Sequence, residues 1–397
     1  MKSGIITKNI WILSIVSLFT DMASEMLYPV MPVFLKSIGF SFLLIGILEG
    51  IAEAVAGLGK SYFGKQSDRT GKRLIYIKAG YGLSSISKPM MAIFIFPLWI
   101  FLARTIDRIG KGLRTGARDA MLSDECTKEN KGRVFGFHRG MDTLGAVIGP
   151  AIALIYLYFH PKDYRMLFII AFVPGILATL LLFIIKEKKK NRNIDHIKKP
   201  GFFNLFSYWK NSGTEYKKLI TGFLIFSLVN SSDVFLLLKI KESGLNDYWV
   251  IGIYIFYNLI YASLSYPMGI LADKIGLKKI YLIGLLLFVI VYIGFAFNSN
   301  VFVFFALFFI YAIYAASTEG VSKAWIATIV PKSDTAGAIG TYSGMQSFCA
   351  LFASSITGLL WFKFGAGITF TVSAIVTLLA FLYLLKVHRS LILFESK

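Results

Sequence analysis

The sequence is poor in cysteine and in charged residues. Only two of its 397 residues are cysteine, and only 16% are charged. Cys126 and Cys349 lie in different halves of the chain, without a CxxC pair or a histidine-rich neighbourhood, so neither a disulfide framework nor a thiolate metal site is indicated. The chain also lacks a Walker loop, a nucleophile elbow, zinc-ligand spacing and a dinucleotide fingerprint in a suitable setting. An ATP-driven machine and an enzyme therefore lack support, and no cofactor is predicted.

Hydrophobic residues, in contrast, make up 56% of the sequence, far more than the core of one soluble domain needs. A segment of about 20 apolar residues crosses a bilayer core of about 30 Å. Such segments recur along the whole chain and predict an all-α membrane protein with twelve transmembrane helices. Their approximate positions are 10–35, 42–64, 74–95, 98–120, 133–158, 165–186, 218–240, 249–271, 279–298, 300–324, 337–361 and 366–386. The first segment is too long for a signal peptide, so we expect it to be retained.

The net charge of +20 raises the question of a nucleic-acid partner. The distribution of the charge along the chain argues against such a partner. Lysine and arginine cluster in alternate loops, as at residues 65–73, 128–133 and 186–192, and the intervening loops carry few. This alternation follows the positive-inside rule and predicts that both termini are cytoplasmic. We therefore expect a multi-pass protein of the inner (plasma) membrane, in contact with lipid and without a nucleic-acid partner.

The longest polar stretch, residues 186–218, separates six predicted spans from six. It predicts an amino-terminal six-helix bundle over residues 1–186, a cytoplasmic linker over residues 187–217 and a carboxy-terminal six-helix bundle over residues 218–397. An amphipathic piece near residues 202–209 indicates a surface helix within the linker.

The two halves resemble each other internally. The loop "GKQSDRTGKR" after the second span matches "GILADKIGLKK" after the eighth, with the correspondences Gly64 to Gly269, Asp68 to Asp273, Gly71 to Gly276 and Arg73 to Lys278. A second match relates "GFHRGM" in the fifth span to "GTYSGM" in the eleventh. Both matches have nearly the same offset and lie six spans apart, which predicts a parallel repeat of two pseudo-symmetric bundles.

These motifs resemble those of the major facilitator superfamily, and the resemblance covers essentially the whole chain. The first loop is similar to the signature loop of that family, which implies a conformational gating role for Gly64, Asp68, Arg69, Gly71, Arg73 and Asp273. "RTIDRIGKG" at residues 104–112 resembles the fourth-helix motif of proton-coupled members, with Arg108 where many members carry glycine. "GAVIGP" at residues 145–150 resembles the core of the fifth-helix motif associated with antiporters. The resemblance implies a secondary transporter that works by alternating access.

Ionisable residues inside the predicted spans are concentrated in the amino-terminal half. Such residues are costly in a bilayer and nearly always face the bundle interior or a water-filled cavity. Three pairs are spaced four residues apart and therefore share a helix face. We expect the face with Asp21 and Glu25 to meet the face with Arg104 and Arg108. We predict a central set for proton coupling, which comprises Asp21, Glu25, Glu49, Glu53, Arg104, Asp107, Arg108 and Asp142. For His138, near the cytoplasmic end of its span, a structural role is favoured. Pro29 and Pro32 should break the first span, and the Gly145–Gly149 GxxxG pair should pack helices closely.

The carboxy-terminal half carries fewer interior charges and many tyrosines. Aromatic area with dispersed hydrogen-bonding groups is the usual lining of a pocket for an organic ligand. We predict a substrate cavity that includes Asn230, Asp233, Tyr257, Asn258, Tyr261, Tyr311, Tyr314, Tyr342 and Gln346.

Together these features predict a proton-coupled exporter of a small organic or amphipathic compound, monomeric and without a bound metal. An alternative is a transporter of the same fold in which the Asp, Glu and Arg set binds a divalent metal or an anionic solute directly, with import possible. A third interpretation is a membrane sensor or lipid-handling protein that uses the scaffold without transport.

Overall fold

The computed structural model describes residues 7–125, 131–185, 187, 207–330 and 334–387. Within these ranges the chain forms helices joined by short turns, and it contains no strand. The helices are α1 (Lys8–Leu27), α2 (Met31–Ser37), α3 (Phe42–Thr70), α4 (Arg73–Ile93), α5 (Pro97–Asp124), α6 (Lys131–Phe159), α7 (Tyr164–Leu181), α8 (Ser207–Asn211), α9 (Thr214–Ser227), α10 (Val234–Glu242), α11 (Asp247–Ile275), α12 (Leu277–Phe297), α13 (Val301–Ile329) and α14 (Thr335–Val387).

These helices confirm the predicted fold class of twelve membrane passes. α1 with α2 forms one pass, α9 with α10 forms another, and α14 bends at Gly365 (φ 79°) into two. Eight of the described helical stretches are long and apolar enough to cross a membrane by length and composition, with α14 counted once. α4 and α5 fall outside that group because they carry charged residues within their length, and α9 and α10 because each is short.

The first pass breaks where the prolines predicted a break. α1 ends at Leu27 and α2 begins at Met31, with Pro32 in its first turn. Proline lacks the backbone N–H that an interior helical position needs, so it interrupts the ladder but suits a helix start.

The seventh pass also breaks, between Ser227 and Val234, although the prediction treated residues 218–240 as continuous. This segment contains no proline. Its backbone is held instead by serine hydroxyls: the Val234 amide donates to Ser232 Oγ at 3.4 Å, and the Ser232 amide donates to Ser354 Oγ of α14 at 3.2 Å. The two breaks lie near equivalent places of the internal repeat, so each half contains one interrupted first helix.

The structure divides into two compact units. We call Met1–Ile38 with Ile51–Asn204 the amino-terminal unit, and Gly39–Gly50 with Leu205–Lys397 the carboxy-terminal unit. In the amino-terminal unit α1 packs on α6 and α7, and α4 packs on α5 and α7. An apolar core that includes Ile10, Leu13, Ile77, Tyr81 and Leu122 fills the space between them.

The GxxxG pair of α6 packs against α1, as predicted. A side-chain Cβ at Gly145 would collide with the carbonyl oxygen of Leu18, and a Cβ at Gly149 with that of Met22. Only glycine permits this approach of two helix backbones. The close seam between α1 and α6 sets the level of Asp21 relative to the polar residues of α6.

The carboxy-terminal unit has an aromatic core. Phe288 stacks on Tyr292 with ring centroids 3.8 Å apart, and Tyr281 contacts Phe223 at 4.6 Å. Aromatic pairs bury a large area and prefer such offset or edge-on contacts. The short helix α8 adjoins this unit, where Tyr208 and Trp209 contact the ring of Tyr216 on α9.

Candidate functional site

Asp107 on α5 is a deeply buried charge of the amino-terminal unit. Its Oδ1 atom lies 2.7 Å from the Lys88 Nζ atom on α4, and both side chains are buried. Lys88 Nζ also donates to Ser24 Oγ on α1 at 3.4 Å, and Ser87 Oγ donates to Asp107 Oδ1 at 3.4 Å. Three helices are therefore linked through the Lys88–Asp107 ion pair by charge-assisted hydrogen bonds, which are stronger than neutral ones.

Two guanidinium groups complete the surroundings of Asp107. Arg104 Nη1 lies 4.0 Å and Arg108 Nε 3.9 Å from Asp107 Oδ2, and both arginines are buried. The structure thus brings together three residues of the predicted central set on α5. It adds Lys88 of α4, which is not in the predicted central set.

Glu53 on α3 is placed differently from Asp107. It is half-buried, and the charged groups that act on it are Arg108, Lys111 and Arg104 of α5. Within the described residues it forms neither an ion pair nor a side-chain hydrogen bond. Among the described residues, Glu53 is therefore a carboxylate that is surrounded by cationic side chains but has no fixed partner.

Asp21 on α1 is also half-buried and, within the described part of the chain, makes no ion pair or side-chain hydrogen bond. The charges that act most strongly on it are those of Asp142 and Arg118, followed by Glu25 and Arg114. The sequence suggested instead that Asp21 faces Arg104 and Arg108. Its strongest electrostatic neighbours are on α6 and on the last part of α5.

The other predicted carboxylates of the central set have distinct surroundings. Glu25 is half-buried, and its charge acts on both Asp21 and Lys111. Glu49 is fully buried, on the part of α3 that belongs to the carboxy-terminal unit. Asp142 is buried on α6, where its Oδ1 atom lies 3.7 Å from His138 Nε2. His138 Nδ1 in turn lies 3.2 Å from Ser14 Oγ on α1.

The predicted substrate residues of the carboxy-terminal unit include a tyrosine cluster, which we define as Tyr257, Tyr261, Tyr311 and Tyr314. Tyr257 stacks with Tyr261 at 6.1 Å, Tyr257 contacts Tyr311 at 5.4 Å, and Tyr311 contacts Tyr314 at 5.1 Å.

Two carboxylates adjoin the tyrosine cluster. The Tyr311 hydroxyl donates to Asp233 Oδ1 at 2.5 Å, and the Tyr261 hydroxyl donates to Glu319 Oε2 at 2.7 Å. Glu319 was not in the predicted set of substrate residues.

The remaining predicted substrate residues are less closely associated with the tyrosine cluster. Tyr342 is buried against Phe223 at 5.5 Å, which is a packing contact of the aromatic core. Asn258 Nδ2 donates to the Tyr254 carbonyl of its own helix at 3.0 Å. Asn230 lies half-buried in the break of the seventh pass, and Gln346 is half-buried on α14.

The predicted gating loop lies at the turn from α3 to α4. Gly71 has a positive φ of 67°, and its repeat equivalent Gly276 between α11 and α12 has a φ of 103°. Arg73 Nε forms an ion pair with Asp124 Oδ2 at 3.2 Å, and Gly64 lies close to Gly116 of α5. The side chains of Asp68, Arg69 and Asp273 lie outside the described residues.

The sequence pattern of the Major Facilitator Superfamily matches residues 13–257 and 247–393. The chain belongs to the major facilitator superfamily. An MFS-type transporter of Methanocaldococcus jannaschii is 32% identical over 386 residues, which cover 96% of this chain and 95% of the relative. The quinolone resistance protein NorA of Staphylococcus aureus is 27% identical over 164 residues, 41% of each chain. The nucleoside transporter NupG has the same fold, with a TM-score of 0.77 and 12% identity over 96% of this chain and 99% of that one.

Membership of the major facilitator superfamily makes this chain a multi-pass membrane transporter rather than an enzyme. It also accounts for the twelve passes and for the internal repeat. The family's relatives act on different solutes, as the names of NorA and NupG state, so the fold alone leaves the solute of this chain open.

Proposed function

We propose that this major facilitator superfamily protein is a proton-coupled exporter of a small organic or amphipathic compound, monomeric and working by alternating access. The observation that carries the proposal is the contrast between Asp107 and the pair Asp21 and Glu53. Asp107 is held by Lys88 at 2.7 Å, whereas Asp21 and Glu53 have charged surroundings but, among the described residues, no ion pair.

A carboxylate with a fixed cationic partner stays charged, because loss of the charge would also leave that cation unpaired. A carboxylate without a partner can gain or lose a proton when its hydration or its distance from arginine changes. Alternating access changes both quantities. Asp21 and Glu53 are therefore the proposed proton carriers. Asp107 is proposed to stay charged throughout, because Lys88, Arg104 and Arg108 surround it.

The tyrosine cluster is the proposed contact surface for the transported compound. Its rings offer apolar area, and the hydroxyls with Asp233 and Glu319 offer directional hydrogen bonds. Pockets for organic ligands commonly combine these two features. The proposed division of labour places proton coupling in the bundle of residues 1–186 and most of the compound binding in that of residues 218–397.

Export as the direction is supported by the sequence likeness to a quinolone resistance protein over 41% of this chain. The likeness of the "GAVIGP" segment to the antiporter motif also supports export. The glycines of this segment allow α1 and α6 to pack closely. The gating loop, with its Arg73–Asp124 ion pair at 3.2 Å, is the proposed element that changes between conformations.

The test begins with purified protein in proteoliposomes that carry a pH gradient. A panel of ethidium, norfloxacin, a nucleoside and a dipeptide is first screened by thermal shift, because a ligand that binds the folded state stabilises it. Compounds that bind are then assayed for movement with the proton gradient imposed in each direction. Opposite movement of proton and compound supports the proposal, and uptake with the proton contradicts it.

The proton carriers are tested with the double variant Asp21→Asn, Glu53→Gln. We expect proton-driven transport to fall at least tenfold while compound binding in the thermal-shift assay persists. Glu242→Gln, on the exposed end of α10, is the matched carboxylate control and should behave as the unmodified protein. Full proton coupling in the double variant would contradict the assignment.

A second candidate function is direct binding of an anionic solute. The surroundings of Glu53 and Asp107 favour it, because Lys88, Arg104, Arg108 and Lys111 outnumber these two carboxylates. This candidate predicts that an organic anion stabilises the protein in the thermal-shift assay and that Arg108→Gln abolishes the stabilisation.

A further inference from the structure

The seam between α1 and α6 carries a row of polar side chains. Ser14 Oγ contacts His138 Nδ1 at 3.2 Å, and a Cβ built on Gly145 would stand 3.2 Å from the Cβ of Asp21. The partners of both contacts are 124 residues apart in sequence. The two helices therefore run side by side in one direction and in constant register, with His138 level with Ser14 and Gly145 level with Asp21.

Asp142 lies between these two levels on α6. With a rise of about 1.5 Å per residue, it is about 6 Å along the axis from His138 and about 4.5 Å from Gly145. Among the charged groups of the described residues, it acts most strongly on Asp21. The order along the seam, from the cytoplasmic end, is His138, Asp142 and Asp21.

The facing atoms of His138 and Asp142 have no hydrogen-bond partner among the described residues. His138 Nε2 and Asp142 Oδ1 are both fully enclosed, and they lie 3.7 Å apart. That separation is longer than a hydrogen bond of about 2.7 to 3.2 Å. A buried polar atom without a partner costs free energy, so this arrangement does not stabilise the resting fold. The structural role favoured by the position of His138 in its span accounts for the Nδ1 contact with Ser14 and leaves Nε2 unexplained.

The other charged groups that face His138 come from α5 and α6. The charges of Arg118 and Asp119 on α5 act on the imidazole, as does the charge of Arg139, the next residue on α6. Arg118 donates to Ser17 Oγ at 2.7 Å and forms an ion pair with Asp119 at 3.0 Å. α1 contributes Ser14, whose side chain is neutral. Thus Asp142 is the carboxylate that faces the imidazole on its own helix.

We propose that Asp142 and His138 form the cytoplasmic segment of the proton path and carry the proton from Asp21 towards the cytoplasm. This inference rests on the proposed proton-coupled export. Protonated Asp21 transfers its proton to the Asp142 carboxylate, and Asp142 then protonates His138 Nε2. The imidazolium releases the proton from Nδ1, beside Ser14, to cytoplasmic water. Each step moves one proton and no electrons, and the neutral imidazole regains its first tautomer by a ring flip or by proton exchange with water.

The proposal is tested by comparing two transport modes of one protein in proteoliposomes, with ethidium as the probe. Net export driven by a pH gradient requires proton release at the cytoplasmic face, whereas exchange of labelled for unlabelled ethidium at equal concentration does not. The key variant is His138→Asn, whose amide can keep the hydrogen bond to Ser14 but cannot relay a proton. Asp142→Asn is the second variant. His160→Gln, one residue beyond the opposite end of α6, is the matched histidine control.

For His138→Asn and Asp142→Asn we expect net export to fall at least tenfold, with exchange within about twofold of the unmodified protein. His160→Gln should leave both modes unchanged. Net export that survives in both variants would overturn the relay. Loss of both modes in His138→Asn, with an unchanged melting temperature, would also overturn it in favour of a structural role. If the unmodified protein exchanges ethidium but shows no proton-driven export, the proposed function fails, and the relay fails with it.

Discussion

The two units of the molecule have similar folds but bury different kinds of side chain. The amino-terminal unit buries ionisable side chains, such as Lys88 and Asp107, and ties three helices together through them. The carboxy-terminal unit buries aromatic rings, and two of its carboxylates, the half-buried Asp233 and the exposed Glu319, accept hydrogen bonds from tyrosine hydroxyls. Two repeats can therefore share one backbone arrangement, including an interrupted first helix, while their interiors differ. One repeat buries charged side chains, and the other buries aromatic side chains.

The largest effect on this contrast between the units is expected when the Asp107 charge of the amino-terminal unit is removed. Asp107→Asn leaves Lys88, Arg104 and Arg108 without the carboxylate that they share, and an uncompensated buried charge typically costs about 3 to 5 kcal/mol. We expect the unfolding free energy in detergent to fall by about that amount. Lys88→Met should cost less, because Arg104 and Arg108 still lie within about 4 Å of Asp107.

The double variant Lys88→Met, Asp107→Leu provides the control for this prediction, because it removes both charges together and should recover part of the lost stability. Equal stability of Asp107→Asn and the unmodified protein would show that the charges are solvated, and it would remove the contrast between the two units.

The seam between α1 and α6 gives the next largest effect. Gly149→Ala places a methyl group against the Met22 carbonyl, and the resulting overpacking should cost about 1 to 3 kcal/mol of unfolding free energy. Gly140→Ala on the same helix meets no atom within 4 Å. Because alanine is the better helix former by about 1 kcal/mol, this control should be neutral or stabilising. The same sign for both variants in a thermal melt would argue against a close seam.

Sequence reasoning reached some of these features and missed others for identifiable reasons. The break at Pro29 and Pro32 was predictable because proline acts through local chemistry. The break near Asn230 was not, because serine and asparagine interrupt a helix only when tertiary partners such as Ser354 are available. Likewise, the spacing of Arg104 and Arg108 predicts a shared helix face, but no spacing indicates that Lys88 on another helix supplies the partner of Asp107.

In the carboxy-terminal unit, Tyr311→Phe removes the hydrogen bond to Asp233 while it keeps the aromatic ring. The loss of one donor from a carboxylate costs free energy, about 1 to 3 kcal/mol for a fully buried group and less for the half-buried Asp233. We expect weaker binding of the transported compound in the thermal-shift assay, with an unchanged dependence of net transport on the pH gradient. If the pH dependence shifts instead and binding is unaffected, proton coupling involves the carboxy-terminal unit as well, and the proposed division of labour is wrong.

The smallest effect concerns a feature that the two units share. Gly71 and Gly276 occupy equivalent turns of the repeat, each with positive φ, and alanine in the left-handed region costs about 1 to 2 kcal/mol. Gly71→Ala should lower the unfolding free energy by about this amount, and Gly276→Ala by at least as much. Gly276 combines its φ of 103° with a ψ of 133°, farther from the left-handed minimum near about 57° and 47°, so its variant should lose more. Gly82→Ala, at an unobstructed site within α4, is the control. A loss confined to Gly71→Ala would show that the turns differ in strain, although their sequences repeat.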